Sequence, residues 1–270
     1  MKKCFTINCL RTKDDFISYE KLLDEKLFSG LELFYPYNVT SEQAKLYRDE
    51  VEKLVKKHQN LDMVLHLPHG GDNDLILEDG KKNDVIIKRM KDAIDFASNY
   101  RVRKLTLHLG SAYKDYQEDR GLLVSALTLP LQELCDYASK YQMNVMIENM
   151  PRDSELGYSP QEILTIIKNV KRDNLKFIYD TGHAHVSEYR DLEYIDLLKD
   201  YLYHIHFSDN KGISDEHKPL GYGNIDFVAL FKKLNEIKYP ELHCLEIIFK
   251  DACDLVNNAK AIEEFDYLYN

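Results

Sequence analysis

No C-x-x-C pair occurs among the five cysteines of this 270-residue chain (Cys4, Cys9, Cys135, Cys244 and Cys253), and their number is odd. That pattern excludes a disulfide framework and a thiolate zinc site, so any metal must be held by nitrogen and oxygen. Runs of about 18 apolar residues are also missing, and nothing reads as a membrane-spanning helix. The apolar stretch Cys4 to Leu10 behind Met-Lys-Lys is too short for a secretory signal, which makes the cytoplasm the expected location. Basic residues number 36 and acidic 46, a net charge of −10, and no block of about five like charges gathers either sign. A general electrostatic grip on nucleic acid or an anionic membrane is therefore not expected. Linkers, low-complexity tracts, close repeats and a glycine-rich first turn are absent too, which favours one domain over residues 1–270.

What is present is an alternation of short β-rich runs and amphipathic segments from one end to the other. Strands are expected at Lys3–Leu10, Gly30–Phe34, Asp62–Pro68, Lys104–Gly110, Asn144–Met150, Leu175–Asp180, Tyr201–Asp209 and His243–Phe249. Helices are expected near 14–28, 40–59, 81–100, 119–141, 160–170, 188–200, 226–238 and 252–268. Thr40-Ser41-Glu42-Gln43 reads as a capping box, and Ser159-Pro160-Gln161-Glu162 as an N-cap followed by a first-turn proline. Eight βα units in this length predict the α/β class and a single (β/α)8 TIM barrel.

Ionisable residues fall at the ends of these strands. Six strands finish on His66, His108, Glu148, Asp180, His206 and Glu246. Each shares its face with the residue two before it: Val64, Thr106, Met146, Ile178, His204 and Cys244. Those predecessors suit a packed layer inside a barrel, with His204 the exception, so the terminal residues are expected to point inward at the C-terminal mouth. Burying that many carboxylates and imidazoles without counter-charge costs several kcal/mol per ion, and a divalent cation offsets it. Asp180-Thr181-Gly182-His183 and Asp215-Glu216-His217 add donors in the following loops. Such a set suits zinc, manganese or magnesium.

The segments LHLPH (65–69), LHLGS (107–111), MIENM (146–150), YDTGHAH (179–185), HIHFSDNK (204–211), DEHKPLGYGNID (215–226) and CLEII (244–248) resemble the xylose isomerase-like TIM-barrel superfamily. That group contains sugar and sugar-phosphate isomerases and epimerases as well as endonuclease IV. The resemblance to the isomerases and epimerases implies one divalent ion at Glu148, Asp180, His206 and Glu246, with the two glutamates as acid and base. The resemblance to endonuclease IV implies three zinc ions, on those four residues plus His66, His108, His183, Asp215 and His217. One to three ions, Zn2+ or Mn2+, are thus expected. The chain departs from the endonuclease at Asn8-Cys9-Leu10-Arg11, which lacks its His-Val-Ser, and at residues 33–38, which lack its DNA-inserting Arg and Gln. Glu32 resembles an isomerase-type Leu-Glu-Leu strand ending.

Two chemistries follow. In the first, a metal-dependent isomerase or epimerase acts on a sugar or sugar phosphate: Glu148 or Glu246 removes a proton beside a carbonyl, and the other returns it. His183 joins them as a catalytic residue, while His69, Lys211, Lys218 and Tyr35 are the expected substrate contacts. The alternative is metal-assisted phosphoester hydrolysis, the only reading under which DNA is a partner. Four carboxylates with three divalent ions sum to +2, which suits an anionic phosphate; three carboxylates with one ion sum to −1, which suits a neutral sugar. The expected mouth loops carry Asp14, Asp15, Asp72, Asp74 and Asp115 with few basic residues, which favours the first chemistry. Tyr35, Tyr37, Tyr113, Tyr158 and Tyr222 are candidate mouth aromatics. Oligomeric state is not legible.

Overall fold

A computed structural model describes residues 1–112, 120–189, 191–249 and 251–269. Tyr113 and Asp115 lie outside the described residues. Eight strands pair in parallel in the order of the sequence and close into a barrel: β1 (Lys2–Ile7), β2 (Gly30–Phe34), β3 (Asp62–His66), β4 (Lys104–Leu107), β5 (Asn144–Glu148), β6 (Leu175–Asp180), β7 (Leu202–Phe207) and β8 (Leu242–Leu245). Around it run α1 (Lys13–Asp24), α2 (Ser41–Lys57), α3 (Asp84–Ser98), α4 (Arg120–Ala126), α5 (Thr128–Ser139), α6 (Pro160–Val170), α7 (Thr181–Val186), α8 (Glu193–Leu198), α9 (Phe227–Glu236) and α10 (Ala252–Tyr269). This is the expected (β/α)8 architecture. No helix among the described residues is long and apolar enough to cross a membrane.

Local chemistry sets the element ends. Thr40 caps α2 by accepting from the Gln43 amide at 3.2 Å, and the Gln43 side chain accepts from the Thr40 amide at 3.0 Å. Ser159 caps α6 at 3.0 Å ahead of Pro160. On α3, Ile86, Met90, Ala93, Ile94 and Ala97 are all buried against the outer face of the sheet. Burial of each large apolar side chain contributes about 1.5–3 kcal/mol, so this outer layer carries most of the stabilisation.

Two differences from the expected elements bear on function. The span 119–141 divides into α4 and α5 at Leu127, and a short helix, α7, begins directly where β6 ends. Inside the barrel, Cys4, Val64, Met146, Ile178, Leu242 and Cys244 form a small apolar layer of their own. Gly30 belongs to the same interior: a β-carbon there would lie 2.6 Å from the Asp62 carbonyl oxygen. The alternation that turns this layer inward turns the next residues of the same parity toward the mouth.

Candidate metal centre at the barrel mouth

Four sets of donor atoms occur among the described residues, the atoms of each lying within 4.8 Å of one another: Glu32, His204, His206 and Cys244 within the barrel, and three more above that layer. One is His66, His108 and Glu148; the second is Glu148, Asp180, His206 and Glu246; the third is His183, Asp215 and His217. All nine expected ligands are brought together, and Glu148 is shared by two sets. The strands deliver six of them within one residue of their ends, His206 as the last but one of β7. Asp180 ends β6 and also caps α7, its Oδ1 accepting from the His183 amide at 2.6 Å, which lifts His183 over the mouth. The loop after β7 is tied down by Asp209, whose carboxylate accepts from the amides of Gly221 and Gly223 at 2.8 Å each. Gly223 is obligatory there, since a β-carbon would meet the Asn210 carbonyl oxygen at 2.1 Å. Gly221-Tyr222-Gly223 is thus a turn organised around Asp209, and the loop it anchors carries Asp215 and His217. His217 itself has a left-handed backbone, φ 45°, a conformation that costs a non-glycine residue energy and clusters at functional sites.

The imidazoles are held in one orientation. Nδ1 of His66 lies 2.9 Å from the Leu67 carbonyl, that of His183 2.9 Å from the Asn149 carbonyl, and that of His217 2.9 Å from the Glu246 carbonyl. A carbonyl accepts, so Nδ1 carries the proton in all three, and a neutral ring then presents a bare lone pair at Nε2. Those lone pairs face carboxylates: His183 and His217 Nε2 lie 3.2 and 2.9 Å from Asp215 Oδ2, and His66 Nε2 lies 3.7 Å from Glu148 Oε2. Acceptor facing acceptor is stable only with a cation between them, a proton or a metal ion. Asp180 Oδ2 and Asp215 Oδ1 are buried with no hydrogen-bond partner among the described residues, which adds two waiting oxygens. The donor set therefore fits divalent ions.

Beneath the mouth, Glu32 is fully buried. Its carboxylate accepts from Thr106 Oγ1 at 2.7 Å and lies 3.0 Å from His204 Nε2 and 2.8 Å from His206 Nε2. Burial pushes Glu32 up, but the two imidazoles outweigh it and hold the group well below the usual carboxylate range. With its Nε2 held by Glu32, His206 turns Nδ1 toward Glu246 Oε2 at 2.8 Å and Glu148 Oε1 at 3.3 Å. Sequence reasoning marked Glu32 as an isomerase-type strand ending and did not count it among the ligands. The signal was available in Thr106 and His204, two polar residues interrupting an apolar layer.

Electrostatics follow the same geometry. Burial raises Asp180 to about 6, with Glu148 and Glu246 adding to the rise. Burial lowers His66, reinforced by His108, so that ring stays neutral. Burial also opposes a proton on His217, yet Asp215, Glu246 and Asp180 lift it to about 10. His69 is pushed down to about 2 by burial and by the neighbouring His66 and His108 rings, at 4.5 and 5.0 Å.

The expected substrate contacts divide. His69 lines a cavity of about 210 Å3 together with seven of the nine candidate ligands, all but Asp180 and His206, and with Glu155 and the exposed Arg152. Tyr35 does not reach it: Phe34 takes the inward face and stacks on His66 at 4.7 Å, so Tyr35 points outward against Phe96 on α3. Lys218 is drawn into an ion pair with Glu216 at 2.6 Å, and Lys211 is exposed on the loop; neither lines the mouth. The other aromatics are not brought in either. Tyr37 bonds the His69 carbonyl, Tyr158 accepts from the Glu188 amide at 3.1 Å, and Tyr222 is exposed. Basic residues are few there, as expected: Arg152 lines this cavity and Arg11 a second one that adjoins it.

A family model described as the xylose isomerase-like TIM barrel matches residues 26–270. Fructoselysine 3-epimerase of Shigella flexneri is 25% identical over 176 residues, which span 65% of this chain and 63% of that protein. The probable endonuclease 4 of Mycoplasmopsis pulmonis is 29% identical over 191 residues, 66% of each. Among solved structures, a D-tagatose 3-epimerase-like protein superposes with a TM-score of 0.81 at 23% identity, covering 100% of this chain and 98% of its own. That last likeness concerns the fold.

Proposed function

The chain belongs to the xylose isomerase-like TIM-barrel family, and from that premise we propose that it is a phosphoester hydrolase acting at a centre of three divalent ions, zinc by its donor chemistry. One observation carries the reading: three imidazoles outside the four-residue epimerase set, His66, His183 and His217, each have Nδ1 anchored on a backbone carbonyl and Nε2 aimed at a carboxylate. In a single-ion enzyme a proton could fill that gap at His183 and His217, which the facing carboxylates raise, but not at His66, which burial keeps neutral with its lone pair toward Glu148. Charge supports the same reading. Six carboxylates, Glu148, Glu155, Asp180, Asp215 and Glu246 at the mouth and Glu32 beneath it, are offset in full by three divalent ions, whereas a single ion leaves the rest to protonated imidazoles.

Divalent cations at such a centre polarise a phosphoryl oxygen and make water a usable nucleophile near neutral pH. Glu148, shared by two donor sets, would join two ions. His66 with His108, and His183 with Asp215 and His217, would hold the outer ones through three protein donors each, leaving room for substrate. Arg152 stands at the rim of the same cavity, where a guanidinium can neutralise charge on the transferring group. Cys9 and Tyr35 stand in the β1 and β2 loops where the endonuclease pattern reaches DNA. Cys9 is buried with its thiol 3.4 Å from the Phe34 carbonyl, and Tyr35 is turned away, so a small phosphoester suits the mouth better than a duplex.

The isomerase/epimerase reading keeps one specific support: Glu148 and Glu246 approach the same nitrogen of His206, flanking one ion position with two carboxylates. A direct assay separates the two. Zinc-loaded protein should release p-nitrophenolate from bis(p-nitrophenyl) phosphate and leave D-fructose and D-tagatose unchanged. Epimerisation of a ketose without phosphoester cleavage would overturn the hydrolase reading.

A further inference from the structure

A cavity of about 480 Å3, within the range of small-molecule sites, adjoins the metal centre on the β1–β8 side and shares His69, His217 and Glu246 with it. Its far wall is Arg11. The guanidinium lies over the Phe249 ring at 4.1 Å from the centroid, which fixes the plane of its fork. Arg11 Nε is buried and has no hydrogen-bond partner among the described residues. Asp15 lines the same cavity, but its Oδ2 accepts from the amide and hydroxyl of Thr12 at 2.8 Å each, and no hydrogen bond or ion pair joins it to Arg11 among the described residues. A buried donor without an acceptor is costly, and a charged one more so. The guanidinium thus ends the cavity without an ion-pair partner among the described residues, while exposed Leu10 and Ile248 give that wall an apolar edge.

We propose that Arg11 receives a second anionic group of the substrate, a phosphate or carboxylate carried on a short carbon spacer from the group bound at the metal centre. The proposal rests on the anion-binding centre described above and adds the substrate class: a small molecule with two separated anions. Bidentate pairing with a fixed guanidinium suits either anion.

Calorimetry with zinc-loaded protein tests it, using three probes: glucose 6-phosphate, which has one anion; 6-phosphogluconate, which adds a carboxylate; and fructose 1,6-bisphosphate, which adds a phosphate. At least one two-anion probe should bind about tenfold more tightly than glucose 6-phosphate, as one added charge-assisted bidentate contact predicts. Arg11→Gln should remove that advantage and leave glucose 6-phosphate affinity unchanged, whereas Arg11→Lys should keep part of it. Which probe gains identifies the second anion. No advantage for either two-anion probe in the wild type, or an advantage that survives in Arg11→Gln, would overturn the proposal. The outcome is separable from the hydrolase reading. An Arg11-dependent advantage without cleavage of bis(p-nitrophenyl) phosphate would retain the subsite and reject hydrolysis; cleavage without the advantage would do the reverse.

Discussion

The Nε2 of His206 lies 2.8 Å from the Oε2 of Glu32, a carboxylate with no solvent exposure one layer below the mouth. The contact fixes the ring so that Nδ1 faces Glu246, Glu148 and Asp180 at 2.8, 3.3 and 3.9 Å. Carboxylates behind ligating histidines orient the ring and raise its basicity, and their loss weakens metal binding about 10- to 100-fold. Glu32→Gln should lower affinity for zinc by that order in a chelator competition. An unchanged affinity would show that Glu32 serves only the packing of the barrel interior.

Glu148 stands where two donor sets meet. Glu148→Gln removes the shared charge while keeping the shape, so hydrolysis should fall by about a thousandfold or more. The far-ultraviolet circular dichroism should remain that of the barrel. Retained turnover in a folded variant would move the reaction away from this residue.

His217→Ala discriminates between the two chemistries. The ring belongs to the third donor set and to none of the four residues that a single-ion epimerase requires. Loss of about one ion per chain and of most hydrolysis is expected, because three protein donors become two. Full metal content and full ketose epimerisation in this variant would favour the single-ion reading.

Protons and metal compete for the same nitrogens. In the metal-free chain His217 is raised from 6.5 to about 10, the carboxylates outweighing the opposing effect of burial. A raised folded pKa contributes stability that is complete below 6.5 and fades as pH rises toward 10. Stripped protein should therefore lose thermal stability across that window as far as this group governs it. Zinc requires the proton to leave, so binding at neutral pH should release protons and weaken as pH falls. Calorimetry in two buffers of different ionisation enthalpy counts them, and a count of zero would remove His217 from the ligands.

The barrel and the donors were legible for one physical reason. Period-two alternation ties His66 to Val64, Glu148 to Met146 and Asp180 to Ile178, so an apolar layer below predicts a polar ring above. The same rule, applied to β2, already turns Tyr35 outward once Phe34 shares the face of Glu32. Glu32 was noticed as a strand ending, but its role behind His206 appears only when Thr106 and His204 from distant strands are seen to surround it. Helix α7 was hidden by Gly182 in its first turn, although Asp180 carried the cap. Arg11 and Arg152 were not legible as mouth residues, since a loop guanidinium is placed by what it packs on. For Arg11 that surface is Phe249, more than two hundred positions away.

The central claim is that the three donor sets hold three ions. Stripped protein reloaded with zinc, dialysed and assayed by inductively coupled plasma mass spectrometry should carry close to three zinc ions per chain, falling to about two in His217→Ala. A stoichiometry of one, unaffected by that substitution, would contradict the account.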